Sequence, residues 1–573
     1  MRRSIAAVLL LLSACRSAPT PAPAAVASTK SPTPVPAPHE GHEHSASSWT
    51  LEGLARGAVL LDTRGNVHRA VGTRSPEAQA FFDQGLALTY GFNHDEAARS
   101  FARAAALDPS CALCFWGAAY TLGPNYNIPM LPDRARAAWE ALTEAQRAAP
   151  SAKPDEQALI AALAKRYPGP GYLEPAAMQP YNEAYAAAMR DVAARFPADD
   201  DIQALFAEAL MNVNPWKLWT ADGQPAAGTP EIVRTLETVL ARSPSHAGAN
   251  HYYIHAVEAS TTPNRALPSA DRLASLVPAA GHLVHMPAHI YQRVGRYADA
   301  SASNRRALEV DGAYLRRVTP LGYYPMYTAH NAGFLAYSAA MEGRAEEALA
   351  AARQAASTMP RDLVCGMPGM DFFLSEPLFV LVRFGRWDEI LREPAPDPTY
   401  RVLTALHHHA RGMALAAQGK LDDARSEARA IHEVAAQLPP ALLAGLNEGS
   451  MVLALAAKTV EARIAEAARD PGAIALWQDA VKLEDDLAYN EPADWFYPTR
   501  HYLGAALLDQ GRATEAEIVY RADLVKNPSN GWALYGLARA LAAQKKTTEQ
   551  KATEAAFAHA FRAADVKLTR SAF

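Results

Sequence analysis

Phe81-Phe82-Asp83-Gln84-Gly85-Leu86-Ala87-Leu88, followed by Ala97, Phe101, Ala104 and Pro109, decides the fold of this chain. Glycine at 85, alanine at 97 and 104, an aromatic ring at 101 and proline at 109 are landmarks that recur further along. The surrounding composition agrees with a helical reading. Half of the 573 residues are hydrophobic, alanine is abundant, β-branched runs are few, and Pro and Gly fall mainly between periodic apolar stretches. The length alone would accommodate about three or four domains.

These landmarks resemble the tetratricopeptide repeat, a helix pair of about 34 residues. With Pro109 at position 32, the unit starts at Ala78 and puts Gly85 at 8, Ala97 at 20, Phe101 at 24 and Ala104 at 27. In this family the small residues let the two helices approach and the proline ends the second. The same ruler finds units from Ala112, from near Val213 to Pro244, and from Ala247, Gly281, Ala329, Asp371, Ala405, Tyr497 and Gly531. Asp133 to Asn212 and Pro440 to Asn490 fit it poorly. The resemblance implies an all-α fold, a right-handed α-solenoid spanning 78–573 with a concave groove. Its clearest units lie near 78–145, 213–314, 329–438 and 497–564, after a lead-in over 49–77.

The ruler also places the histidines. His251-Tyr-Tyr-Ile-His255-Ala-Val-Glu258, His282-Leu-Val-His285-Met-Pro-Ala-His289 and His330 fall in three consecutive units. Residues four apart on a helix share a face, with Cβ atoms about 5–6 Å apart, so His251/His255 and His285/His289 can each close on one ion. By resemblance, positions 2, 5, 9 and 12 face the groove; His251, His255 and Glu258 take 5, 9 and 12. His282, His285 and His289 take 2, 5 and 9, and His330 takes 2. The expected ligands are His251, His255, Glu258, His285, His289 and His330, with His282 on the same row. Neutral imidazoles with one carboxylate suit Zn, Cu or Fe rather than Ca or Mg. Pro287 complicates the second pair, because a helix starting at Met286 would leave His285 on a loop.

Trp116 and Tyr120, at positions 5 and 9 of their unit, with Asn125, Asn127 and Asn331, are further groove-binding candidates. Core packing and an ordinary turn explain the aromatics and the first two asparagines equally well. Tyr323, Tyr324 and Tyr327 precede His330 and are placed to cover the site; Glu491 and Arg500 are candidates to reach across the superhelix. His407-His408-His409 reads as surface, with at most His409 facing the groove.

At the N-terminus, Arg2-Arg3 and the apolar run Ile5–Leu12 make an export-signal layout too short for a stable membrane span. Leu12-Ser13-Ala14-Cys15 resembles the lipobox of bacterial lipoproteins, which implies a signal peptide over 1–14 and lipidation of Cys15. A Pro/Ala/Ser/Thr-rich, His-bearing tether covers 15–48. The expected location is the bacterial cell envelope, anchored by lipid, with Arg16 after the cysteine favouring the outer membrane facing the periplasm. Cys111-x-x-Cys114 reads as packed thiols or a local disulfide rather than a redox pair or half a zinc site. The net charge is −5 with no basic stripe, so nucleic acid is not an expected partner.

Two functions follow as expectations. In the first, the groove holds a transition metal and binds a peptide, protein or small ligand. In the second, the chain is a metal-dependent hydrolase or oxidoreductase, with Glu258 as general base and an open coordination position. A metal-free peptide scaffold is the remaining alternative.

Overall fold

The computed structural model describes residues 49–573. The expected signal peptide and tether, with Cys15, His39, His42 and His44, lie outside the described residues.

A short helix, α1 (Leu51–Gly57), leads into helix pairs: α2 (Pro76–Tyr90) with α3 (His94–Leu107), α4 (Ala112–Thr121) with α5 (Ala135–Ala148), and α6 (Pro154–Leu163) with α7 (Pro175–Arg195). Next come α8 (Asp200–Met211) with α9 (Thr229–Arg242) and α10 (Ala247–Val257) with α11 (Leu267–Leu276). Then α12 (Gly281–His285) and α13 (Pro287–Arg293) share α14 (Tyr297–Leu315), followed by α15 (Tyr324–Met341) with α16 (Ala345–Thr358). Short helices α17 (Arg361–Gly366), α18 (Glu376–Arg383) and α19 (Trp387–Ile390) follow. The remaining pairs are α20 (Arg401–Ala417) with α21 (Leu421–Ala435), α22 (Gly449–Ala467) with α23 (Ala473–Asp485), α24 (Thr499–Asp509) with α25 (Ala513–Lys526), and α26 (Gly531–Ala543) with α27 (Thr547–Ala560). Consecutive helices pack on each other, the construction of an α-solenoid.

The quoted landmarks act together. A Cβ on Gly85 would lie 2.8 Å from the Phe101 ring and one on Gly117, in the next pair, 2.5 Å. At the far end Gly504 and Gly536 embrace Tyr520 in the same way, at 2.4 and 2.1 Å. In these two pairs a buried ring on the second helix is wedged between glycines of two successive first helices, which is why those residues recur at that spacing.

Several boundaries differ from the ruler. The helix placed from Val213 lies instead at α8, capped by the Asp199 side chain on Ile202 N at 3.0 Å. Pro215 prevents a helix after Val213, and the loop there is pinned by Trp219 Nε1 donating to Ala256 O at 2.8 Å. The poorly fitting 440–490 contains the pair α22/α23, preceded by a hairpin of Leu443–Ala444 with Asn447–Glu448. The unit from Asp371 begins as a 3-10 turn, Met370–Ser375. Cys111 and Cys114 form a local disulfide. His407 and His409 are buried rather than on the surface; His409 Nε2 is 2.7 Å from Tyr497 Oη.

The chain does not remain an open ribbon. Trp532 Nε1 donates to Ala340 O at 2.9 Å, and Ala345 N donates to Asp565 Oδ1 at 2.6 Å, so the last pairs pack back on α15–α16. Two apolar cores result, and they meet along α15, with Phe334 in one and Leu335 in the other. No helix among the described residues is long and apolar enough to cross a membrane.

Candidate metal centre

The histidines converge where the two cores meet. His251, His255, His282, His285 and His289 are each at most 3% exposed, and His330 is partly buried. They fall into two adjoining sets of three, His251/His255/His282 and His285/His289/His330, with ligand atoms within 4.8 Å of one another in each.

The backbone sets each imidazole's orientation. Helix α2 ends at Tyr90 because Phe92 takes a left-handed conformation, φ 51°. The Tyr90 carbonyl, one of the last of its helix and without an intrahelical donor, accepts His251 Nδ1–H at 2.6 Å. The same turn lays the Phe92 ring over His251, His255 and His282, with centroids 4.7, 5.8 and 6.1 Å away. A non-glycine residue held at positive φ is a costly conformation that surrounding structure must enforce.

His255 Nδ1 donates to Glu258 Oε1 at 2.9 Å, as the i, i+3 spacing permits. His285 Nδ1 donates to Asn304 Oδ1 at 2.6 Å, and Asn304 Nδ2 is held in turn by Ala300 O at 2.8 Å. His251 Nε2, His255 Nε2 and both nitrogens of His282 are buried without a hydrogen-bond partner. Imidazoles fixed through Nδ1 to an acceptor, with Nε2 lone pairs facing one another, match the outer-sphere pattern of metal-binding histidines.

Pro287 does interrupt the helix between α12 and α13, yet Met286 keeps helical angles. His285 is therefore the last residue of α12 rather than part of a loop, and its Nε2 lies 2.9 Å from His289 Nε2.

Electrostatics keep most of the rings neutral. Burial, then neighbouring imidazoles, hold His251, His282 and His285 well below the usual histidine range, and the same causes hold His330 near 3. His289 is the exception. Burial would lower it, but the carboxylates of Glu258 and Glu491 raise it. Burial likewise pushes Glu491 upward against the pull of His289, whereas His255 and His289 overcome burial and hold Glu258 low. Glu258 Oε1 serves His255 and Oε2 lies 2.9 Å from His289 Nδ1. Glu258 Oε2 is buried and makes no hydrogen bond.

A cavity of about 230 Å³ opens on this cluster. His255, His282, His289 and His330 form its polar end; Phe372, Phe379, Phe496, Met326, Met359 and Trp216 contribute to its apolar walls. Leu446 of the hairpin and Glu491–Pro492 also line it.

The other expected residues are dispersed. Tyr323 and Tyr327 line the cavity, with Tyr327 4.6 Å from the His282 ring, while Tyr324 Oη donates to Asp311 at 2.7 Å. Asn127 reaches Tyr327 Oη at 3.4 Å. Asn125 closes its own turn on Asn127 N and Ile128 N, and Asn331 donates to Asp311 Oδ2 at 2.8 Å. Trp116 and Tyr120 stack in the core, where Tyr120 donates to Glu208 at 2.6 Å, so neither lines the chamber. Arg500 pairs with Asp485. His282, outside the expected ligand set, groups with His251 and His255, and Glu491 does reach the cluster.

No protein-family model matches the chain, and no curated protein matches it. Among solved structures, the human IFIT1 dimer with m7Gppp-AAAA aligns at TM-score 0.33 and 13% identity over 86% of this chain and 91% of its own. Yeast Tom70 aligns at 0.28 and 11%, over 83% and 90%. The P58(IPK) TPR domain aligns at 0.23 and 13%, over 82% and 99%. Similarity at this level bears on neither ligand nor chemistry.

Proposed function

We propose that this chain is a transition-metal protein in which two adjacent three-histidine sites stand at the end of an apolar chamber. One observation carries the reading: the set His251, His255 and His282 holds buried, inward-facing ring nitrogens that no protein donor satisfies. Leaving such groups unpaired in an interior is costly, and a cation is the partner that suits several converging lone pairs at once. Neutral imidazoles favour Zn, Cu or Fe.

Three protein ligands per ion leave a coordination position open. The cavity contact of His255, His282, His289 and His330 favours turnover on a small, largely apolar molecule over storage of a closed structural ion. A bound ion of this kind would supply Lewis acidity or an activated water or O₂; the residues orient it, and the aromatic walls limit water. The first expectation from the sequence, a metal-holding groove that binds a ligand or partner without turnover, and the metal-free peptide scaffold are separated from this reading by metal content and assay. From the lipobox alone we place the protein in the bacterial envelope, tethered through Cys15.

Elemental analysis of the full chain, with His39, His42 and His44 replaced by Asn to remove the tail as a metal source, tests the proposal. A transition metal that is lost on His251→Ala/His255→Ala, with the helical circular dichroism kept, is the expected result. No metal after incubation with Zn, Cu and Fe would overturn it.

A further inference from the structure

His289 faces two ways. Its Nε2 lies 2.9 Å from His285 Nε2, within the set completed by His330. Its Nδ1 lies 2.9 Å from Glu258 Oε2 and 2.9 Å from Glu491 Oε2. Neither of those two contacts has hydrogen-bond geometry, and His289 Nδ1, Glu258 Oε2 and Glu491 Oε2 are all buried without a hydrogen-bond partner. One N–H shared between two oxygens on different bearings serves neither well.

The remaining oxygens are already occupied. Glu258 Oε1 accepts from His255 Nδ1, and Glu491 Oε1 accepts from Tyr489 Oη. Arg293 stands 3.9 Å from Glu491 Oε1 and donates Nε and Nη2 to the carbonyls of Glu258 and Ser260. Two buried carboxylate oxygens thus confront each other across one imidazole nitrogen. Buried charges are ordinarily paired or coordinate a metal.

We propose that Glu258, His289 and Glu491 form a third metal site, distinct in chemistry from the two histidine sets and joined to the second of them through both nitrogens of His289. This rests on the three-histidine reading above. Two carboxylates and one imidazole suit a divalent first-row ion of the Mn, Fe or Zn kind better than Cu(I), which prefers soft ligands. When both neighbouring positions are filled, His289 binds one ion through each nitrogen as an imidazolate, and the ring proton passes to solvent. Metal loading at this site therefore releases a proton.

The test compares the full chain, with His39, His42 and His44 replaced by Asn, against its Glu491→Gln variant, each titrated with Zn(II) and counted by elemental analysis. Gln keeps the size and the Tyr489 contact while removing the charge. The expected counts are about three equivalents for the parent and about two for the variant. Equal non-zero counts would overturn the third site and leave the histidine sites standing; zero in both would overturn the histidine reading and this one with it. Should the variant fail to fold, anomalous scattering from Zn-loaded crystals of the parent decides instead. A peak among Glu258, His289 and Glu491 is expected, and its absence beside peaks at the histidine sets would overturn the proposal.

Discussion

His289 on α13 and Glu491 on the loop before α24 meet at 2.9 Å, joining the two arms of a solenoid that folds back on itself. This contact turns a row of histidines on consecutive helices into the end wall of a chamber. It also places a charged loop from one apolar core against the ligand cluster of the other.

The outer-sphere contact of His285 should set metal affinity. Asn304→Ala removes the acceptor that fixes the His285 tautomer. Loss of such a partner weakens binding by about 10–100-fold. Competition with a chelator checks this, and unchanged affinity in a variant with intact circular dichroism would show that the contact does not orient a ligand.

Packing at the repeat landmark should be intolerant of one methyl group. Gly504→Ala puts a Cβ 2.4 Å from the buried Tyr520 ring, which Gly536 blocks on its other side. Helix propensity favours alanine by about 0.5–1 kcal/mol, but overpacking costs about 1–3 kcal/mol, so the clash wins. The urea midpoint should fall with an unchanged slope.

Glu376 should make stability depend on pH. Its Oε2 is buried without a partner, pressed against α15 where only Gly333 leaves room, 2.7 Å from a would-be Cβ. Burial raises its pKa from 4.5 to about 8. The folded state therefore holds a proton that the unfolded chain has released. Its contribution is fully present below about 4.5 and lost as pH rises through about 8. Relative to Glu376→Gln, the melting temperature of the metal-free parent should fall between about pH 5 and about pH 9. A parent that gains on the variant over that range would contradict the assignment.

Legibility in the sequence followed the range of the interactions. The helix pairs were readable because Gly85, Phe101 and Gly117 interact within one repeat and its neighbour, and His251, His255 and Glu258 because they share one helix face. Trp116 and Tyr120 occupy the same repeat positions as His251 and His255, yet α8 supplies Glu208 to Tyr120 and closes that end, which no local spacing announces. Glu491 was readable only as a candidate, since its reach depends on the chain doubling back. The Tyr90 carbonyl and the Phe92 ring depend on how one turn meets a helix far along the chain. A helix starting at Met286 would leave His285 on a loop, whereas His285 ends α12 and Met286 keeps helical angles into α13.

The most direct test of the central claim is a diffraction experiment on metal-loaded crystals at the absorption edge of the metal identified by elemental analysis. The account predicts an anomalous peak within about 2.0–2.1 Å of imidazole nitrogens from His251, His255 and His282, and a second among His285, His289 and His330. Peaks confined to the protein surface, or none within the chamber, would contradict it.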